Sequence, residues 1–491
     1  MDWYLRKEWN NMGILDAIGS VVGAISGFLY QPYILPLILI CGGVFFTVRT
    51  KVVQARMFGE SFRVIMEKPR TADGYSSFGS MMVSTASRVG TGNIIGVATA
   101  IVAGGPGAVF WMWIVALIGG ASAFVESTLA QVYKKKREDG SSYGGPAFYM
   151  RDALHARWLG VIFSVLIIAT YAIGYNMLAA FNLQSTFQVF SFYQKDATPM
   201  IIGLILAVLF GVIVIGGARR LMTVTTVMVP AMGGIYVLMS LLVLVLNAGN
   251  VPRMFGQIFS SAFDFQAIFG GFTGSVLMLG LKRGLYSNEA GMGSAPNAAA
   301  NADVSHPAKQ GLVQMLSVFI DTLLICTATA FMCLSTSVDP VGFLDGATGS
   351  ADAAGYVQAS LHSTLGAFGP WFLTFSMCLF AFTTLIGNYS YCEGCLRFIL
   401  NREVSRTGLL LFRLIATVLI FVGAIASAGL VWDTADMLQA LMVLCNMPAI
   451  LLLSGKAIRV LEDYVVQKKA GQNPEFRAAD VGIQEPTDFW Q

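Results

Sequence analysis

Apolar runs long enough to cross a bilayer, set between short basic connections, constrain this chain more than any other feature. Eleven stretches reach about 17 residues or more, the length an α-helix needs to span the hydrocarbon. They lie near 31–48, 75–103, 107–133, 158–190, 198–216, 221–246, 265–281, 311–334, 368–396, 408–427 and 433–454. Inside lipid every backbone polar group must be satisfied internally, so runs of this kind fold as helices. Only 12% of the residues are charged, against about 25% in soluble domains. The expectation is an all-α polytopic membrane protein.

The connections sort their charge. Arg49, Lys51, Arg56, Arg63, Lys68 and Arg70 follow the first run, and Lys134, Lys135, Lys136, Arg137, Arg151 and Arg157 follow the third. Lys282, Arg283, Lys309, Lys456, Arg459, Lys468 and Lys469 join that side, whereas Arg6, Lys7, Lys195 and Arg253 fall opposite. The crowded side is cytoplasmic by the positive-inside rule, which places the N-terminus outside and the C-terminus inside. Residues 1–30 carry Asp16 and several Gly and Ser, which suits an interfacial segment rather than a span or a cleavable signal. Residues 31–48 form an extra span, and 455–491 a cytoplasmic tail expected to be disordered after about 470. The seven cysteines give no disulfide framework, and C-E-G-C at 392–395 is read as structural.

Without 31–48, the runs divide into two sets of five, 75–246 and 265–454. Each set opens on a glycine-interrupted segment, V-G-T-G-N at 89–93 and F-G-G-F-T-G at 269–274. Five spans reverse the orientation of the second set, so paired interruptions predict an inverted repeat with ligand sites at broken helices. A helix start favours a carboxylate, which makes Thr91 and Gly92 candidates for an anionic group, with an ammonium on carbonyls of the second break. Thr383 and Thr384 are paired hydroxyls in an apolar helix. They suit Na⁺ together with carbonyls freed by a break, or simple bonding to their own helix.

Arg88, Glu126 and Asp321 are ionisable groups within spans, which face a cavity or a partner. An ion pair of Arg88 with Asp321 or Glu126 is expected, with proton or gating work as the alternative. Tyr171 and Tyr175 line a cavity or pack a core. The stretches 143–150 and 283–301 read as unusual cytoplasmic loops, the first as a short amphipathic helix after a turn. No nucleophile–base constellation appears, and His155, His306 and His362 lie in separate loops, so an enzyme is not expected.

The blocks G-T-G-N-I-I-G-V-A, A-G-G-P-G-A-V-F-W-M-W, G-G-P-A-F-Y-M, K-R-G-L-Y-S-N-E-A-G-M-G-S-A-P, V-F-I-D-T and F-A-F-T-T resemble the alanine or glycine:cation symporter family of bacteria and archaea. The likeness runs from about 30 to 455. It implies a leucine-transporter-like fold of two inverted five-helix repeats and Na⁺-driven uptake of a small neutral amino acid across a prokaryotic plasma membrane. It further implies that Thr91 and Gly92 take the substrate carboxylate and that Asn93 stands near the substrate or a first cation. Ala86 and Val89 carbonyls with Thr383 and Thr384 would hold Na⁺. Phe272, Thr273 and Gly274 would cover the amine and side chain, with Tyr171 and Tyr175 contributing; Thr384 and Asn388 are further pocket candidates, and at Asn388 this chain departs from the tryptophan of many relatives. Alanine or glycine is the expected cargo, with serine or glutamine as the alternative. Proton coupling through Glu126 or Asp321 and a channel or sensor without a transport cycle are the remaining alternatives. No organic cofactor or nucleic-acid partner is expected.

Overall fold

The computed structural model describes residues 14–30, 34–71, 74–137, 140–264, 275–345, 351–402 and 404–491. Among these, the helices that matter for the site are α1 (Ile14–Leu29), α2 (Leu35–Arg49), α3 (Ser77–Arg88) and α4 (Ile95–Gly104). They are followed by α5 (Ala108–Val132), α6 (Arg157–Ser185), α7 (Ala197–Ile215) and α8 (Gly217–Leu246). The second half holds α9 (Val276–Asn288), α10 (Ala295–Ala299), α11 (Pro307–Leu334), α12 (Phe368–Leu400), α13 (Arg406–Ile425) and α14 (Ala428–Lys469). Eight of the helices are long and apolar enough to cross a membrane, and nine when the bent pair formed by α3 and the segment Thr91–Gly104 is taken as one. The apolar α2 is shorter, and the run expected at 265–281 is described only from Ser275 onward.

Serine sets several starts. Ser76, Ser275 and Ser405 each accept a hydrogen bond from the amide three residues on, at 3.0, 3.2 and 3.1 Å, filling a vacancy that every helix start leaves. Small residues then let backbones meet. A side chain at Gly387 of α12 would collide with the backbone of Ala86 and Ser87, and one at Gly423 of α13 with that of Met177. Close approach of this kind substitutes for the hydrophobic drive that lipid removes. The helices α5, α11 and α12 are largely enclosed, whereas α7, α8 and α13 turn apolar residues such as Leu204, Leu238 and Leu411 outward. Two helices carry π-helical turns, at Ala169–Gly174 in α6 and Ile320–Cys326 in α11.

Three expectations change. First, residues after 470 fold back onto the bundle. Trp490 is buried and its indole donates to the Gln131 carbonyl at 2.8 Å, while Lys134 lies over the rings of Phe489 and Trp490 at 4.6 and 5.1 Å. Aromatic side chains hidden in a polar stretch give the tail the apolar burial that its composition disguises. Second, 283–301 is no aqueous loop: it completes α9, turns, and forms α10, and almost all of it is buried. Third, Lys282 and Arg283 leave the tail's end of the bundle. Both pair with Asp436, close to the start of α14, at 3.8 and 3.1 Å. That helix runs from there toward the tail, so the pair marks the far end. Gly19 and Gly23 of α1 lie against Leu430 and Asp433 of the same region.

Candidate functional site

The first interruption is a bend of 58° between α3 and the segment that follows. Its hydrogen bonds account for it. In a continuous helix the Gly90 amide would bond the Ala86 carbonyl, but it donates to Asn93 Oδ1 at 2.8 Å. The Asn93 amide would bond Val89, but it donates to the Gly90 carbonyl at 3.1 Å in a single 3₁₀ turn, Thr91–Asn93. The carbonyls of Ala86 and Val89 are thereby freed, and the amides of Thr91 and Gly92 open a short helical start. Thr329 Oγ1 donates to the Asn93 carbonyl at 2.7 Å, and Asn182 Nδ2 to Thr91 Oγ1 at 3.2 Å.

The α12 threonines differ. Thr383 Oγ1 turns to its own helix, with the carbonyls of Leu379 and Phe380 at 3.0 and 3.1 Å and Met232 Sδ at 3.3 Å. Thr384 is buried and its hydroxyl makes no hydrogen bond among the described residues. That hydroxyl lies against Gly90, where any side chain would strike it.

The described residues place a second interruption at 289–294, after α9. Glu289, Gly291 and Gly293 all have positive φ, 55°, 83° and 83°. The segment expected to hold this break, with Phe272, Thr273 and Gly274, lies outside the described residues. Glu126 of α5 holds the turn: it accepts from the amides of Gly291 and Gly293 at 3.3 and 3.1 Å and from Asn446 Nδ2 at 2.8 Å. Asn446 also donates to the Gly291 carbonyl at 2.9 Å and accepts from Tyr149 at 2.5 Å.

The expected ion pair is absent. Among the described residues Arg88 has no carboxylate within 4.0 Å; its Nη1 reaches Gln314 at 3.3 Å, and Nε and Nη2 have no partner among them. The carboxylates are already engaged by shorter bonds, Glu126 as above and Asp321 with Asn93 Nδ2, Ser287 and Thr322 at 2.6, 2.6 and 2.9 Å. Arg88 acts on Glu126, Glu289 and Asp321 only through its field.

Glu289 was not singled out in the sequence. It is fully buried and ties the two interruptions together, accepting from Ser87 at 3.0 Å and from Ser294 at 2.6 Å. Ser87 also lies 2.6 Å from Asn388 Oδ1, whose amide donates to Asn176 Oδ1 at 2.9 Å. The signal was present in S-N-E-A-G-M-G-S: an acid followed by two alternate glycines within small residues. A wall of rings closes the site, with Tyr171 5.1 Å from both Tyr175 and Tyr391, and Tyr175 4.7 Å from Tyr286.

The two ends of the site differ. Toward the far end Tyr286 covers Gly92, Trp432 packs on Tyr286 at 5.5 Å, and Arg283 stacks on Trp432 at 4.0 Å while forking onto Asp436 at 3.1 and 3.2 Å. Toward the tail a crevice of about 60 Å³ opens between α3, α8, α12 and the stretch after α10, lined by Val83, Leu221, Met222, Asn297, Asn301 and Tyr391.

Known proteins match most of this chain. It is 42% identical to the amino-acid carrier protein AlsT of Bacillus subtilis, over 96% of this chain and 97% of that one. The probable sodium/glutamine symporter GlnT of the same organism is also 42% identical, over 93% and 92%. The sodium/alanine symporter AgcS of Methanococcus maripaludis is 35% identical, over 89% and 95%. With a family model matching residues 15–478 as well, the chain belongs to the sodium:alanine symporter family, multi-pass membrane transporters and not enzymes.

Proposed function

We propose that the protein carries a small neutral amino acid, alanine or glycine, into the cell together with Na⁺ by alternating access. The spans form two inverted five-helix repeats of the leucine-transporter-like kind, α3 to α8 and α9 to α14. With α2 as the extra span, the total is eleven. Element order supports this, since each set of five opens on an interrupted helix, α3 with α4 and α9 with α10. The tail end, where Lys134, Lys135, Lys309 and Lys456 gather, faces the cytoplasm of a prokaryotic cell.

One observation carries the Na⁺ reading: the freed carbonyls of Ala86 and Val89 lie in the turn against which an unpartnered Thr384 hydroxyl is buried. Oxygen donors of this kind suit a hard cation. Thr91 and Gly92 amides receive the substrate carboxylate, with Asn93, Tyr171 and Tyr175 beside it. A ring-capped far end and an open tail-end crevice support one closed and one open gate. A second reading, glutamine or serine as cargo, is favoured by the buried Asn176–Asn388 pair and its unpartnered Asn176 Nδ2. Uptake of a labelled amino-acid panel into proteoliposomes is the test. Accumulation of alanine only under an inward Na⁺ gradient is expected, and equal uptake in choline medium rejects Na⁺ coupling.

A further inference from the structure

We infer that Glu289 binds the substrate's ammonium group, so that amine recognition rests on a carboxylate and not on backbone carbonyls alone. The inference builds on the amino-acid symport reading above and names what that site requires of its ligand.

Three carboxylates are buried around the interruptions, and their bonding differs. Glu126 is engaged by two backbone amides and Asn446. Asp321 is engaged by Asn93, Ser287 and Thr322. Glu289 receives neutral hydroxyls, Ser87 and Ser294 with that of Tyr171 close by, and among the described residues no cationic nitrogen lies within 4.0 Å of it. A carboxylate offers about four acceptor positions, so part of its capacity is unspent. Leaving such a group in a dry interior without a cation is costly. The Arg88 guanidinium compensates it only from a distance.

Two further groups point to a ligand there. The hydroxyls of Tyr171 and Tyr391 are fully buried and feel the Glu289 charge; they lie toward Glu289, Ser294 and Ser87 without completing a well-aligned hydrogen bond among the described residues. Ser87 closes α3 just before the unwound turn in which the Thr91 and Gly92 amides lie, so a ligand whose carboxylate meets those amides has the Ser87–Glu289 contact on the other side of the break. An ammonium placed there gains a charge-assisted bond to Glu289 and the faces of Tyr171 and Tyr391. The serine, tyrosine and glutamate come from α3, α6, α12 and the second interruption, so bound amine draws both broken segments together.

The test uses the full-length protein in proteoliposomes. In the unmodified protein, lactate and N-acetylalanine keep the carboxylate but lack a free amine, and neither should compete with labelled alanine. Lactate competing within about threefold of alanine overturns the assignment. Glu289→Gln should raise the alanine half-saturation by at least about 50-fold, the loss of a buried charge-assisted contact. Its binding of labelled Na⁺ without amino acid should stay within about twofold, and Glu289→Asp should recover part of the alanine affinity. Alanine affinity unchanged in Glu289→Gln overturns the assignment, and so does loss of Na⁺ binding without amino acid, which makes Glu289 a cation ligand. Should Glu289→Gln fail to fold, Glu289→Asp decides, since alanine affinity unchanged when the carboxylate is drawn back by a methylene overturns the assignment. Failure of Na⁺ symport itself shows separately, as equal alanine uptake by the unmodified protein in choline.

Discussion

The two interruptions face each other but are held open by different means. The first contains no left-handed residue: Gly90 has φ −138°, in extended backbone. It stays unwound because side chains claim its amides and carbonyls, Asn93 from within and Thr329 from α11. The second is fixed by backbone hand, with Glu289, Gly291 and Gly293 at positive φ and Glu126 gripping the turn. One break is therefore a competition among hydrogen bonds that can shift. The other is written into chirality and holds its shape. A transporter needs both, a rigid rim and a segment that responds to what binds.

The harshest challenge to this contrast is Gly293→Ala. Its φ of 83° disfavours a Cβ by about 1–2 kcal/mol, and that Cβ would lie 2.8 Å from Asn446, Phe163 and Pro146 atoms. Loss of folded protein in detergent, read by size-exclusion chromatography, is expected; normal folding would remove chirality from the account. Glu126→Gln comes next. It turns an amide NH₂ toward one of the two glycine amides, costing about 1–3 kcal/mol, seen as a melting temperature lowered by several degrees. An unaltered melting curve would mean that the turn holds itself.

On the responsive side, Thr384→Ala should raise the Na⁺ half-saturation about tenfold, close to 1.4 kcal/mol, while Thr383→Ala changes it less than about twofold. Equal effects would erase the distinction between the two hydroxyls. The smallest effect concerns pH at the tail end, where the chain from α10 enters α11. His306 caps α11 by accepting the Ala308 amide at 3.1 Å and touches Asp463 at 3.1 Å. Burial pushes its imidazole below the ordinary 6.5, against the pull of Asp463. The neutral ring's contribution is thus complete above about pH 6.5 and fades as the pH falls through the lowered folded value. A stability loss under about 1 kcal/mol on acidification past pH 6.5, absent in His306→Asn, is expected in thermal melts.

Much of the first interruption was legible, because Thr91, Gly92 and Asn93 have no reason to sit together in a lipid-facing helix. Residues 289–294 were not, since small and polar residues describe an aqueous loop as well as a buried turn. Only packing tells them apart. Lys282 and Arg283 misled for a related reason: positive charge marks the cytoplasm only when it is solvated, and here Asp436 neutralises it inside the bundle. The partners of Arg88 depended on which carboxylates other donors had already claimed, and sequence spacing carries no such information. The split between Thr383 and Thr384 is one of side-chain direction around a helix, fixed by what α3 and α8 present to it.

The folded-back end of the chain has a mechanical corollary. Trp490 is seated on α5, the Phe476 amide bonds the Ser305 carbonyl at 3.1 Å, and Lys456 of α14 pairs with Glu485. These threads sew three separate parts of the tail-end rim into one hem. Any helix that swings at that end must pivot against this stitched edge, or first pull an indole free of its seat.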